Sequence, residues 1–173
     1  TLFLDRDGVI NLEKKDDYIK NKTEFIFYPN TIDTLVKCSF LFSKIIIVTN
    51  QRGIGRDLMT EKDLDEIHQY MKTEIENQGG RIDAIYFAPD KDSNSPMRKP
   101  NTGMGLKAKK DFPEIDFSKS IMVGNNESDL KFGKALGMKT IFLTTTQHHL
   151  PVNKNLFDNH NSALEFILND IIS

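Results

Sequence analysis

The sequence predicts an α/β fold built on a doubly wound parallel sheet. Two observations support this prediction. Short apolar runs of strand length alternate with segments whose apolar residues recur at helical spacing. Clusters of unusual polar residues follow directly after the apolar runs, which is where sheets of this class bind their ligands. The 173 residues are enough to bury a sizeable core, and we expect a single domain spanning residues 1–173.

The strand candidates are apolar runs rich in β-branched and aromatic residues. The first run ends at Asp5 and the second at Thr49. Because helical segments separate the runs, the strands should pair in parallel through right-handed crossovers. The five candidates are Leu2–Leu4 and residues 45–48, 82–87, 121–123 and 140–143.

Helix candidates fill the intervals between these strands. Thr60, with Asp63 three residues later, has the pattern of a capping box ahead of a strongly amphipathic helix. Gly137 is a natural left-handed residue at which a helix ends. The other helices are predicted over residues 31–40, after residue 102, over 127–136 and from about residue 162. Two long polar loops, 11–25 and 89–97, complete the organisation.

The composition excludes several classes of protein. The 23 basic and 25 acidic residues are nearly balanced, which argues against a general affinity for nucleic acid or anionic membranes. The single cysteine, Cys38, rules out a disulfide framework within the chain, and we interpret it as a packing residue. The sequence has no apolar run of membrane-spanning length and no signal-peptide pattern, so we expect a cytoplasmic protein.

Two carboxylates stand directly after the first strand, Asp5 and Asp7, followed by Gly8. Asp and Gly are common where a strand enters a turn, so the pair alone is ambiguous. Two such acids at the edge of a sheet can nevertheless divide their roles. Asp5 can act as a nucleophile and Asp7 as a proton donor, while a hard cation neutralises their charge.

Polar groups at the other strand ends strengthen the functional interpretation. In a parallel sheet these ends share one edge, so distant parts of the chain converge there. A hydroxyl, Thr49, and an ammonium, Lys99, can bind the oxygens of an anionic group, with further oxygen ligands available for Mg²⁺. This set suits phosphoryl transfer, in which catalysis is mainly positioning and charge neutralisation. The remaining polar groups at these ends are Asn50, Gln51, Arg52, Arg56, Arg98, Asn125, Glu127 and Asp129.

With these motifs the chain resembles the haloacid-dehalogenase-like phosphatases, and particularly the branch of heptose bisphosphate and histidinol-phosphate phosphatases. The resemblance covers residues 2–143 and rests on motifs beginning at Asp5, Val48, Arg98 and Gly124. It implies a Rossmann-like core without a large cap domain. It also implies a Mg²⁺-dependent phosphomonoesterase that acts on a small metabolite, either a sugar phosphate or histidinol phosphate.

The resemblance also implies roles for individual residues. Asp5 becomes the nucleophile that forms an aspartyl phosphate, Asp7 the general acid and base, and Thr49 and Lys99 the groups that bind the phosphoryl oxygens. The residues implied in substrate binding are Asn50, Gln51, Arg52 and Arg98. The residues implied in Mg²⁺ binding are Asp5, Asp7, Asn125 and Asp129.

Two departures from the family pattern are visible. Many relatives bind a structural zinc through a Cys-x-His pair and a later Cys-x-Cys. Here these positions are residues 88–90 and 95–97 and hold no cysteine or histidine, so we expect no zinc. In addition, Asn125 stands where the family usually has an acid that binds Mg²⁺, so one charge is missing unless Glu127 or Asp129 compensates.

Three alternatives remain open at this point. The runs 49–56 and 98–104 also resemble the phosphatase domain of polynucleotide kinase/phosphatases, although the chain has no basic stripe with interleaved aromatics. A signalling receiver is disfavoured because no acid ends the third strand. Asn125 leaves open a weakly active or non-catalytic phosphate-binding relative. The histidines have no predicted metal role, and His68 is expected on a helix surface.

Overall fold

The computed structural model describes residues 1–144 and the strand Leu156–Phe157. The predicted helix from residue 162 and the histidines at 148, 149 and 160 lie outside these residues. Six strands form one sheet in the order β3-β2-β1-β4-β5-β6, and all neighbouring pairs are parallel. The strands are β1 Leu2–Leu4, β2 Ile45–Asn50, β3 Ala84–Ala88, β4 Ile121–Gly124, β5 Lys139–Leu143 and β6 Leu156–Phe157. The predicted doubly wound α/β class is confirmed.

Within the described residues, five α-helices lie between the strands: α1 Thr31–Leu41, α2 Arg52–Gly55, α3 Glu61–Asn77, α4 Gly103–Asp111 and α5 Glu127–Ala135. The predicted capping box at Thr60 and Asp63 is present at the start of α3. Gly137, just after α5, has the left-handed φ of +80° that lets the chain leave the helix. Helix α2 was not predicted, because its four residues are too short to show helical periodicity.

Alternation along the strands distributes side chains between two cores. Leu2 and Leu4 of β1 face a core that includes Leu64 and Ile67 of α3. Phe3 points the opposite way and packs in a second core with residues of α4 and α5. Helices therefore cover both faces of the sheet. The predicted polar ligand-binding groups lie at the ends of the strands.

The strand order brings the predicted functional side chains together at one position. The chain runs outward from β1 through β2 to β3, then returns to the other side of β1 with β4. The crevice where this reversal occurs, at the carboxyl ends of the strands, is the usual ligand site of such sheets. Among the described residues, we find no helix with the length and apolar character that crossing a membrane would require.

Candidate active site

Asp5 follows β1 and is fixed in place by the neighbouring strand. Its backbone N–H donates to the Val123 carbonyl at 3.0 Å, and its Oδ1 accepts from the Arg6 N–H at 2.8 Å. Only 7% of the residue is exposed. Burial, with the nearby Asp129 carboxylate, raises the pKa of Asp5 to about 7 against the opposing effect of Lys99. An oriented carboxylate with little solvation suits a nucleophile.

Lys99 lies between two carboxylates at the floor of the site. Its Nζ is 3.0 Å from Asp5 Oδ1 and 2.6 Å from Asp129 Oδ1, and it donates to the Val48 carbonyl at 2.7 Å. The Asn50 side chain holds the Lys99 backbone, accepting from its N–H at 2.9 Å and donating to its carbonyl at 3.1 Å. Burial lowers the pKa of Lys99, but the two carboxylates outweigh it and raise the pKa, so the ammonium stays charged.

We expect Lys99→Met to destabilise the protein by about 3–5 kcal/mol, because it leaves Asp5 and Asp129 buried without their shared cation. Urea unfolding at pH 8 without metal measures this change. The double variant Lys99→Met/Asp129→Asn removes one of the two orphaned charges and should recover part of the loss. Equal stability of the single and double variants would contradict the ion-pair interpretation.

Asp7 is an acceptor for three side chains. The Arg6 guanidinium contacts its two oxygens at 2.8 and 2.9 Å, Asn11 Nδ2 donates at 2.9 Å, and Gln51 Nε2 donates at 2.8 Å. Burial raises the pKa of Asp7, but Arg6 and these hydrogen bonds outweigh it and lower the pKa. In the free protein Asp7 is therefore ionised at neutral pH.

Arg6 and His68 form a buried pair behind Asp7. Arg6 is 0% exposed and its Nη1 lies 3.2 Å from His68 Nε2, which must accept because a guanidinium only donates. The predicted surface position of His68 is wrong. His68 lies one helical turn after Leu64 at the border of the apolar stripe of α3, and it is buried next to the Arg6 guanidinium and the Phe87 ring of β3. Burial and the Arg6 charge lower the pKa of His68 to about 3.

The depressed pKa of His68 predicts a pH-dependent stability. The unfolded chain binds a proton on His68 below pH 6.5, whereas the folded protein resists doing so until about pH 3. Stability should therefore fall as the pH falls below 6.5, by on the order of 2 kcal/mol at pH 5. His68→Gln keeps an acceptor for Arg6 and should lose this part of the pH dependence. Parallel pH profiles of both unfolding curves would contradict the assignment.

Thr49 and Gln51 complete the wall next to Asp7. Thr49 is 1% exposed, and its Oγ1 accepts from Gln51 Nε2 at 2.9 Å. Gln51 is 0% exposed and does not line the cavity, so its predicted contact with substrate is corrected. Its amide instead joins Thr49 to Asp7. Asn50 does line the cavity, but its amide is engaged with the Lys99 backbone.

The fourth motif follows β4. Asn125 is fully buried against the turn after β1, since a Cβ on Gly8 would lie 1.9 Å from Asn125 Nδ2. The same nitrogen donates to Glu13 Oε2 at 3.0 Å. Asp129 accepts from the Asn126 N–H at 2.9 Å through the oxygen that Lys99 does not contact. Both Asp129 oxygens are thus engaged within the protein, and its role as a metal ligand stays a prediction.

One cavity of about 600 Å³, a size typical of small-molecule sites, is bordered by Asp5, Asp7, Thr49, Lys99 and Asp129. The prediction that Asp5, Asp7, Thr49 and Lys99 converge on one pocket is confirmed. Loop 11–25 lies over the cavity, and the Arg56 guanidinium stacks on its Tyr18 ring at 5.8 Å. The other lining residues are Glu13, Lys14, Asp16, Asp17, Ile19, Asn50, Arg52, Arg98, Pro100, Asn126, Ser128 and Asp129.

Hydrogen bonds hold the second polar loop together. The Ser95 hydroxyl donates to the Asp90 carboxylate at 2.6 Å, and these residues occupy two of the positions at which the family resemblance implies zinc ligands. Asn101 Nδ2 donates to the Ser95 carbonyl at 2.8 Å. Arg98 Nη1 donates to the Lys91 carbonyl at 2.6 Å, which directs this arginine along the cavity wall.

Sequence reasoning missed four contributors to the site: Arg6, Asn11, Glu13 and His68. Arg6 had a usable signal, because an arginine between two functional carboxylates is well placed to pair with one of them. The other three gave no local signal. Their contacts depend on loop 11–25 folding back and on α3 packing against β1.

The oxygen donors at the carboxyl ends of β1 and β4 suit a hard cation. Within the described residues, no cluster of three or more His, Cys, Asp or Glu side chains suits a metal ion. A cation at this position would therefore need amide or backbone oxygens beside Asp5. Asn125 has an amide oxygen, which accepts from Asn126 Nδ2 at 3.2 Å in this structure, and the turn at Asp7 has a backbone carbonyl. Mg²⁺ accepts oxygen ligands of both kinds.

Comparisons with known proteins agree with this geometry. Residues 2–149 match the family model described as polynucleotide kinase 3 phosphatase. The D-glycero-alpha-D-manno-heptose-1,7-bisphosphate 7-phosphatase of Burkholderia mallei is 37% identical over 150 residues, covering 82% of this chain and 78% of that protein. The probable D-glycero-D-manno-heptose-1,7-bisphosphate 7-phosphatase of Thermoplasma volcanium is 39% identical over 138 residues, covering 79% and 92%.

Solved structures give the same result. The D,D-heptose 1.7-bisphosphate phosphatase from B. bronchiseptica, complexed with magnesium and phosphate, has a TM-score of 0.86 at 25% identity and covers 98% of both chains. The D,D-heptose 1,7-bisphosphate phosphatase from Burkholderia thailandensis has a TM-score of 0.70 at 28% identity and covers 96% of this chain and 97% of that one.

Proposed function

Because this chain belongs to the haloacid-dehalogenase-like phosphatases, and is similar to their heptose bisphosphate branch, we propose that it removes one phosphate from a small sugar bisphosphate. The leading candidate is D-glycero-D-manno-heptose 1,7-bisphosphate. One observation carries the proposal: the buried Asp5–Lys99 pair, 3.0 Å apart, lies in a cavity that Arg52, Arg56 and Arg98 also line. Histidinol phosphate gains no support from the relatives described above.

In the proposed first step, an Asp5 carboxylate oxygen attacks the phosphorus. A new P–O bond to Asp5 forms as the bond to the sugar oxygen breaks, and that oxygen takes a proton from Asp7. Lys99 and the Thr49 hydroxyl bind the phosphoryl oxygens and neutralise their charge. In the second step Asp7 takes a proton from water, which attacks the phosphorus and releases inorganic phosphate and free Asp5.

The contacts of Asp7 favour its two roles unequally. With the Arg6 guanidinium at 2.8 Å, the ionised form is stabilised, so Asp7 is ready to act as the base of the second step. To act as the acid of the first step, it must be protonated. We infer that substrate entry promotes this protonation, because a second anion beside Asp7 raises its proton affinity. The protonated carboxyl then binds Arg6 less strongly.

A divalent cation fits this scheme through the donors already described. The Asp5 carboxylate, the Asp7 backbone carbonyl and Asn125 would hold it, and when bound Mg²⁺ supplies neutralisation of the phosphoryl charge. Asp129 acts instead as the partner that keeps Lys99 charged and oriented, at 2.6 Å.

The arginines provide a reason for a bisphosphate. One phosphate occupies the floor at Asp5 and Lys99. Arg52, Arg56 and Arg98 line the same cavity and can bind a second phosphate through paired N–H donors. Double replacement of Arg52 and Arg56 by glutamine should therefore raise KM for a bisphosphate more than for its monophosphate.

A phosphate-release assay with Mg²⁺ tests the proposal. The panel contains both anomers of the heptose 1,7-bisphosphate, the heptose 7-phosphate, fructose 1,6-bisphosphate, histidinol phosphate and a 3′-phosphorylated oligonucleotide. We expect kcat/KM to be at least about tenfold higher for a heptose bisphosphate than for the other compounds, since differential binding of the second phosphate sets the ratio. A preference for a monophosphate or for histidinol phosphate would refute the bisphosphate assignment.

A second candidate is removal of a terminal 3′-phosphate from a polynucleotide. The match of residues 2–149 to the polynucleotide kinase 3 phosphatase model favours it. The same panel decides between the two candidates. If the oligonucleotide is preferred, kcat/KM should also fall steeply between 50 and 200 mM salt, because binding would release counterions from the strand.

A further inference from the structure

The Glu13 carboxylate is held next to the turn that carries the nucleophile. Its Oε2 accepts from Asn125 Nδ2 at 3.0 Å, a contact between residues 112 apart in sequence. Asn125 in turn packs on Gly8, whose left-handed φ of +79° turns the chain directly after Asp7. Folding of loop 11–25 thus places Glu13 one side chain away from the proposed cation position.

The charges at this end of the sheet leave a deficit for a divalent ion. Asp7 is paired with the buried Arg6 at 2.8 Å. Lys99 is shared between Asp5 at 3.0 Å and Asp129 at 2.6 Å. The three carboxylates of these pairs therefore face two cations, Arg6 and Lys99. About one negative charge is left to balance a cation of charge +2. Asn125 adds only a neutral amide.

Two acids close to Asn125 in sequence, Glu127 and Asp129, do not supply the missing negative charge. Both oxygens of Asp129 are engaged, by Lys99 and by the Asn126 N–H. The Glu127 carboxylate lies 3.0 Å from Lys131, and its side chain is 69% exposed. Glu13 lines the cavity, as Asp129 does and Glu127 does not, and its carboxylate contacts Asn125 itself.

We propose that Glu13 supplies the second negative charge to the divalent cation and so compensates for the neutral Asn125 at the end of β4. This rests on the metal-assisted phosphatase mechanism proposed above. Glu13 acts from loop 11–25, at 3.0 Å from the Asn125 amide at the end of β4.

Calorimetric titration with Mg²⁺, in the absence of any substrate, tests the proposal. Glu13→Gln retains an acceptor for Asn125 and removes only the charge, and we expect it to weaken Mg²⁺ binding by about tenfold or more. Asn125→Asp should tighten binding. In the Asn125→Asp background, Glu13→Gln should weaken binding much less, because the carboxylate at 125 then supplies the charge.

Glu66→Gln is the matched control, since it makes the same change at a glutamate of α3 whose side chain is 59% exposed and which does not line the cavity. We expect it to change Mg²⁺ affinity by less than about twofold. An unchanged affinity in Glu13→Gln, an equal loss in Glu66→Gln, equal losses in both Asn125 backgrounds, or no Mg²⁺ binding by the wild type would each overturn the proposal. Thermal unfolding without Mg²⁺ confirms that the variants are folded.

The titration is independent of the reaction. If Mg²⁺ binds with the expected dependence on Glu13 and no phosphate ester is hydrolysed, the proposed function fails and this inference stands. If a heptose bisphosphate is hydrolysed and Glu13→Gln binds Mg²⁺ as the wild type does, the inference fails and the proposed function stands.

Discussion

Replacement of Asp5 by asparagine will lower kcat by about three orders of magnitude or more, because the amide cannot form the proposed phosphoryl-enzyme bond. The Asp5 backbone N–H donates to the Val123 carbonyl and its Oδ1 accepts from the Arg6 N–H, and asparagine can keep both contacts. Turnover of the preferred substrate of the panel measures the effect. Acid quenching with radiolabelled substrate should trap phosphorylated protein from the wild type and none from the variant.

Asp65→Asn is the matched control for Asp5→Asn, since it neutralises an exposed acid on α3 far from the reacting groups. Its turnover should equal that of the wild type. An Asp5→Asn variant that retains substantial turnover would refute the mechanism. Its stability is also informative. Asp5 is 7% exposed and its burial raises the pKa to about 7, so asparagine should not destabilise the fold at pH 8.

Replacement of Asp7 by asparagine will lower kcat by about 10²–10⁴-fold, the usual contribution of a positioned acid or base. Because the structure pairs Asp7 with the buried Arg6 at 2.8 Å, the variant should also lose up to about 3 kcal/mol of stability. Activity must therefore be measured well below the melting temperature. A substrate with a good leaving group, such as a nitrophenyl phosphate, separates the two effects.

A good leaving group needs no proton, so the first step of Asp7→Asn on a nitrophenyl phosphate should be nearly normal, and a burst of nitrophenol should precede slow turnover. The burst reports formation of the Asp5 intermediate, and the slow phase reports its hydrolysis without a base. A variant that is slow in both phases would place Asp7 in substrate positioning and not in proton transfer.

Much of the site was predictable from local sequence patterns. A strand such as Leu2–Leu4 that stops at Asp5 defines both a buried element and the end at which its acid emerges, because alternation and strand length are local properties. The same reasoning located Thr49 at the carboxyl end of β2 and Asn125 after β4. Parallel pairing then required these groups to share one edge, and the Lys99 ammonium joins them there at 3.0 Å from Asp5.

The sequence by itself thus determined the α/β class, the approximate strand ends and the convergence of Asp5, Asp7, Thr49 and Lys99 on one cavity. Only the tertiary structure decided that Gln51 orients Asp7, that Asp129 holds Lys99, that His68 is buried against Arg6, and that Glu13 reaches Asn125. The physical reason is the range of the interactions. Periodicity records which face of an element is buried, whereas the partner of a polar side chain depends on which elements pack together and how the loops fold back.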